Sequence, residues 1–423
     1  MYALLLFTSA IIYRCYGDDT LISAVVIFRH GARTPVDPYP NDPYRSASFW
    51  PAGFGQLTNE GKEQQFQLGQ WFRKRYADFM PAEYSEKDIY VRSTDVDRTL
   101  MSAEANLAGF YPPQKEFHPG LAWQPIPVHT IEETKDEVLA MKRPCPKYSQ
   151  LLEELFKQPF FLNISHTYQY LYAYLTRYSG TLVNNPDEVE YLYNTLTIEK
   201  SFNYTLPAWT EKVYPEKMEY LASLSFALDA YTPQLARLKA GPLFHLISEH
   251  FINFSSMHSY EHHNHSRENV WNRKFLMFSA HDTTIANVLN SMGLFDMHSP
   301  PFAATIIFEL RQRVDNSTYL NLFYKNSTNP VQLHLKGCEL DCDLNRFVEL
   351  MKPIIIDPET WRMECELNWI DVLPFDHKGN VLVFTVIGSF TMISLLLVCM
   401  MQCLKPEAGP NKALYEQLSS EDA

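Results

Sequence analysis

LISAVVIFRHGARTP, residues Leu21 to Pro35, is the stretch whose reading decides the fold. Leu21 to Phe28 is a continuous apolar run, which is what a strand covered on both faces requires. The run stops at Arg29-His30-Gly31-Ala32-Arg33, where two guanidiniums flank one imidazole and a glycine lets the backbone turn sharply. Arginine's planar fork suits phosphate oxygens, and histidine serves as nucleophile or proton carrier near neutral pH. Taken alone, the segment reads first as a strand ending in solvated cations, and the rest of the chain has to decide.

Two later stretches repeat the pattern. Ile89-Tyr90-Val91 is a short strand leading through Arg92 to Arg98, and Leu100, Ala103, Leu107 and Phe110 mark the helix beyond. Arg98 falls in that helix's first turn, where free N–H groups and the positive end of the dipole favour anions. It can equally pair with Asp95 or Asp97 as a structural ion pair. Phe275 to Ala280 reads as another buried strand, ending in His281-Asp282-Thr283-Thr284, with a helix starting at Thr283 or Thr284. If these strands are neighbours in one parallel sheet, Arg29, His30, Arg33, Arg98, His281 and Asp282 meet at its carboxyl edge.

Between these junctions, Val36 to Gly55 is irregular, and Thr58 caps a helix over Asn59 to Tyr76 with Leu68, Phe72 and Tyr76 on one face. Residues 116–240 read as a helical cap inserted into a catalytic α/β domain of residues 18–115 and 241–368. Ala303 to Leu310, Tyr319 to Tyr324 and Val331 to Leu335 are further strands, the first two joined by a turn through Asp315-Asn316. Trp361 to His377 is acidic and reads as irregular, with 369–378 as a stalk. The His258–His265 run lacks ligand spacing and reads as a solvated loop rather than a metal site.

With 423 residues and 46% hydrophobic content the chain can bury a sizeable core. Its net charge, 36 − 49 = −13, gives no sign of a nucleic-acid partner. Residues 1–17 read as a signal peptide. Gly379 to Leu404 carries no charge, so 379–403 reads as one transmembrane helix, with 404–423 a cytosolic tail. Sequons at Asn163, Asn203, Asn253, Asn264, Asn316 and Asn326 all precede the span, as a lumenal glycoprotein requires. Cys145, Cys338, Cys342 and Cys365 allow three pairings. The close pair Cys338 and Cys342 can staple a local turn and leave Cys145 with Cys365. A zinc site is the rival, which an oxidising compartment disfavours. In the tail, Tyr415 to Leu418 has the aromatic-to-apolar spacing of a sorting signal read by adaptor proteins.

RHGARTP (Arg29 to Pro35), FGQLTNEG (Phe54 to Gly61), RSTDVDRTLMSA (Arg92 to Ala103), WQPIPVHT (Trp123 to Thr130) and SAHDTT (Ser279 to Thr284) together resemble the histidine acid phosphatases, over residues 20 to 368. The resemblance implies a mostly parallel sheet flanked by helices, phosphoglycerate mutase-like, with a smaller helical cap. It implies phosphomonoester hydrolysis through a phosphohistidine on His30, with Asp282 the proton donor. Arg29, Arg33, Arg98 and His281 would be the phosphate contacts, with no metal or other cofactor and a homodimeric assembly. Family members usually carry a third disulfide between cap and core, and this chain lacks the cysteines for it. Nearby arginines keep His30 neutral into acid while Asp282 must be protonated, so an acid optimum is expected. Phosphotyrosine, phosphoinositide or lysophospholipid phosphate substrates remain open at this stage, as does an inactive receptor built on the fold.

Overall fold

The computed structural model describes residues 19–259, 272–326, 329–366, 392–397 and 400. The signal peptide, Asn264, residues 260–265 of the histidine-rich run, the 369–378 stalk and the tail with Tyr415 and Leu418 lie outside them. So does most of the 379–403 span. Among the described residues no helix is long and apolar enough to cross a membrane.

Strand β1 (Thr20–Arg29) lies inside the sheet, and every residue from Ile22 to Arg29 is buried. Side chains alternate along a strand, so β1 feeds two cores. Ala24, Val26 and Phe28 meet helices α1 (Asn59–Arg75) and α2 (Asp97–Phe110) through Leu68, Phe72, Ala103, Leu107 and Phe110. Val25 and Ile27 face a second core with Phe244, Ile247 and Phe251 of a long helix, Pro233–Ser259, and with Ile285 and Val288. Cover on both faces is why the strand reads as an unbroken apolar run.

Strands β2 (Ile89–Ser93) and β3 (Phe275–Ala280) complete a parallel trio in the order β2-β3-β1. Their registers are level at the carboxyl ends, with Arg29 opposite Ala280 and Ser93 opposite Ser279. The other half corrects the expectation of a mostly parallel sheet. β4 (Thr305–Gln312), β5 (Thr318–Lys325) and β6 (Val331–Leu333) continue from β1 antiparallel, and β7 (Cys342–Asp343) pairs with β5. The reason is connection length. β4 turns into β5 through Arg313 to Ser317, with Asn316 at a left-handed φ of 68°, and parallel strands need a far longer crossover.

The region expected as a cap is helical from Pro146 on. It contains α3 (Pro146–Phe156), α4 (Pro159–Thr167), α5 (Gln169–Ser179), α6 (Pro186–Ser201) and α7 (Glu216–Leu228). Leu155, Phe161, Leu175, Val189, Leu192, Leu196 and Leu221 make a third core there. Next come α8 (Pro233–Ser259), α9 (Asp282–Ser291), α10 (Leu344–Met351) and α11 (Pro358–Cys365). The last corrects the reading of Trp361 onward as irregular. Asp357 caps α11, Pro358 opens it, and Trp361 is buried with its indole N–H donating to Leu238 O at 2.7 Å. Cys145 is bonded to Cys365 and Cys338 to Cys342. Asn163, Asn203, Asn253, Asn316 and Asn326 are all exposed, as glycan acceptors must be.

The loop after Pro35 is joined to α6 by two buried carboxyls. Asp42 and Glu199 are 2% and 0% exposed and lie against each other, and two carboxyls buried together avoid like-charge repulsion by holding a proton between them. Burial, then the charge and hydrogen bond of Asp42, pushes Glu199 up to about 8. The folded state therefore holds a proton that the unfolded chain releases near the ordinary glutamate value. The stabilisation is fully present below that value and is lost as pH rises from there to about 8. Glu199→Gln keeps a donor at every pH. Its thermal unfolding should lose the part of the wild-type decline in this window, steepest at about 1.4 kcal/mol per pH unit for one proton. Parallel stability–pH curves for the two proteins would refute the shared proton.

Candidate active site

His30 follows β1 directly and is 1% exposed. Its Nδ1 lies 2.8 Å from Gly31 O. A carbonyl only accepts, so Nδ1 carries the proton and Nε2 keeps a lone pair. Burial, then the charges of Arg29, Arg98 and Arg33, drives the imidazole well below its ordinary pKa. His30 is thus a neutral, oriented nitrogen base among cations.

Gly31 is also required by a close approach of two backbones. A Cβ there would lie 2.2 Å from Gly61 O, and one on Gly61 would lie 2.1 Å from Ala32 O. The two backbones touch where α1 begins, which lets Thr58, the helix cap, also donate to Ala32 O at 3.0 Å. Ser102 of α2 accepts from Gly31 N at 3.1 Å, and Gln65 of α1 donates to Arg29 O at 2.8 Å. The RHGAR, TNEG and RSTDVDRTLMSA stretches therefore form one scaffold.

All six residues expected at the sheet edge are brought together. Arg29 Nη2 pairs with Asp282 Oδ2 at 2.6 Å, and its guanidinium lies 4.2 Å over the Phe302 ring. The His30 and His281 rings are 5.7 Å apart. Arg98 Nη2, which can only donate, lies 3.5 Å from His281 Nδ1, and His281 Nε2 lies 2.9 Å from Thr94 Oγ1. His281 is therefore neutral with its proton on Nε2, and burial followed by Arg98's charge lowers its pKa. Both its nitrogens are engaged in this state. Among the described residues Arg98 makes no ion pair with Asp95 or Asp97.

Asp282 opens α9. Burial works against its ionisation, but Arg29 and then Arg33 outweigh that and hold the carboxyl below its usual range. Burial lowers Arg33 to about 10, still cationic at any pH of interest. The Nε atoms of Arg33 and Arg98 are buried without a hydrogen-bond partner in the protein. These donors, with two net positive charges from three guanidiniums and one carboxylate, match a phosphate dianion.

Two site residues were not foreseen, and both come from α6. Asn194 Oδ1 accepts from Arg33 Nη2 at 3.1 Å. Glu190, one turn earlier, lies in the field of Asp282, Arg33 and Arg29, and burial foremost raises it to about 8. Their only sequence signal is that they fall off the apolar stripe formed by Val189, Leu192 and Leu196. Any exposed helix face gives the same signal.

Residues 20–325 match the family model described as the histidine phosphatase superfamily, branch 2. The chain is 37% identical over 350 residues to human prostatic acid phosphatase, covering 80% of this chain and 86% of that protein. It is 36% identical over 350 residues to rat lysosomal acid phosphatase, covering 81% and 79%. Among solved structures, the Citrobacter braakii phytase superposes with a TM-score of 0.59 at 19% identity, over 82% of this chain and 100% of that one. That last likeness concerns the fold alone.

Proposed function

The chain belongs to branch 2 of the histidine phosphatase superfamily and is a phosphatase related to the acid phosphatases, and on that premise we propose that it hydrolyses phosphate monoesters through a phosphohistidine on His30. The observation that carries this reading is the neutral, Nδ1-protonated His30 enclosed by Arg29, Arg33 and Arg98.

In the first step His30 Nε2 forms a bond to phosphorus as the ester P–O bond breaks. The Asp282 carboxyl gives its proton to the departing alcohol. In the second step water attacks phosphorus, the Asp282 carboxylate takes a proton from it, and the P–N bond breaks to release phosphate and restore His30. The arginines hold the equatorial oxygens, whose charge is what the protein has to stabilise in such a transfer. Asp282 is ionised at rest through Arg29. A bound phosphate draws on the same arginine and sets a negative charge beside the carboxyl, which raises its proton affinity. Low pH completes the protonation, so the reaction runs in acid. The decisive experiment is p-nitrophenyl phosphate hydrolysis by the full chain and by its His30→Ala variant. Equal rates would overturn the reading.

Acid chemistry fits an acid compartment. Similarity to lysosomal acid phosphatases, the six sequons and the apolar stretch at 379–403 support a lumenal body held in lysosomal or endosomal membranes. Tyr415 and Leu418 would direct that delivery through adaptors. Tyr415→Ala should then accumulate at the cell surface in an antibody-uptake assay, and unchanged delivery would reject the signal.

A further inference from the structure

Arg33 differs from the other two arginines in how its head is held. Arg29 lies on the Phe302 ring and pairs with Asp282, and Arg98 contacts His281. The Arg33 backbone bridges to Leu57, and among the described residues two hydrogen bonds hold its guanidinium. One is Nη1 to the neighbouring Thr34 O at 3.1 Å, and the other is Nη2 to Asn194 Oδ1 at 3.1 Å, 161 residues away. A fork locked at both ends meets a phosphate in a set plane, whereas a long side chain held only by its neighbour does not.

Helix α6 is itself fixed to the loop that continues from Arg33. Asn185 caps it and Pro186 opens it. Tyr191 donates to Asp37 O at 3.2 Å, and Glu199 shares its proton with Asp42. Just beyond the helix, Tyr204 donates to Phe49 O at 2.8 Å, and Tyr44 donates to Thr205 O at 2.7 Å. Loop and helix thus form one body, which holds the Asn194 amide against the Arg33 guanidinium.

We propose that Asn194 is a positioning residue for phosphate capture, acting through Arg33, and that α6 is bound to the Asp37–Phe49 loop so as to keep it there. This rests on the phosphomonoesterase reading of the pocket but makes a separate claim. The helical region then completes the pocket wall instead of only shading its mouth.

The test uses Asn194→Leu, which preserves volume and removes the acceptor, in the full chain with and without Arg33→Ala. Inorganic phosphate is the probe, by calorimetry and as an inhibitor of p-nitrophenyl phosphate hydrolysis. Losing one charge-assisted contact of this kind should raise the phosphate Kd and the KM about tenfold, with kcat falling less. In the Arg33→Ala background the same substitution should change neither. Asn194→Ala, which removes the acceptor without adding an apolar branch, should give the same ratio if the leucine variant folds poorly. An unchanged Kd in both single variants would overturn the proposal, as would an equal loss with and without Arg33. Phosphate binding is read without turnover, so a His30→Ala variant that stayed active would reject the mechanism and leave this result standing.

Discussion

His30→Ala is expected to abolish turnover, leaving p-nitrophenyl phosphate hydrolysis at roughly 10⁻⁴ of the wild-type kcat or less, because no other group in the pocket can take the phosphoryl. His281 is the neighbouring imidazole, but Arg98 occupies the side of its Nδ1 and Thr94 takes its Nε2 proton. The arginines alone can position and polarise the ester, which supports only residual catalysis. The variant also leaves Gly31 O without its side-chain donor, so a modest drop in melting temperature should accompany the loss. A phosphate Kd that stays measurable would show the pocket to be intact. Quenching the wild type in base during turnover of a radiolabelled ester should leave label on the chain, since a phosphohistidine survives base. The variant should carry none. A labelled His30→Ala chain would move the nucleophile elsewhere.

Asp282→Asn should separate substrates by leaving group. For alkyl phosphates, whose alkoxide cannot depart unprotonated, kcat should fall by about 10²–10⁴, the usual range for loss of a general acid. For p-nitrophenyl phosphate, whose phenolate leaves readily, the fall should be far smaller. Removing the carboxylate also frees Arg29 from its 2.6 Å pair, so phosphate should bind the variant more tightly. The pH profile follows from the same group. Asp282 is lowered at rest, mainly by Arg29 and Arg33 acting against burial. Its ionised form therefore stabilises the fold above the ordinary carboxylate range, and that contribution fades as pH drops through the lowered value. A donor role for Asp282 needs the protonated form in the substrate complex, so kcat should rise toward acid, with burial and the arginines keeping His30 neutral there. The alkaline limb for alkyl substrates should flatten in Asp282→Asn. A uniform fall across leaving groups would remove Asp282 from the donor's role.

The candidate site was legible in the sequence because its groups follow strand ends, and such junctions are local. The apolar run to Phe28 and the stop at Arg29, the Thr58 cap and the run into Asp282 depend on residues within a few positions of one another. Three such junctions with complementary groups are meaningful where one is not. The antiparallel half was missed for a different reason. Its hairpin could be read through Asp315-Asn316, but which edge of β1 it would join could not. Trp361 to Cys365 looked irregular because an eight-residue helix has too little periodicity to register, and what holds it is a disulfide to Cys145 and a bond to Leu238.

By itself the sequence determined which arginines, histidines and carboxylate would stand together as a candidate phosphate site and that their backbone would deliver them at strand ends, because capping, periodicity and side-chain chemistry are short-range properties. Tertiary structure alone decided that β2, β3 and β1 lie side by side with level ends, that Gly31 must stay bare because Gly61 touches it, and that His30 presents Nε2. It also brought Glu190 and Asn194 from α6 to a pocket formed by residues far away in the chain. Strand order, backbone contact and the proton affinity of a buried group depend on what packs alongside, and those neighbours are set by the folding of the whole chain.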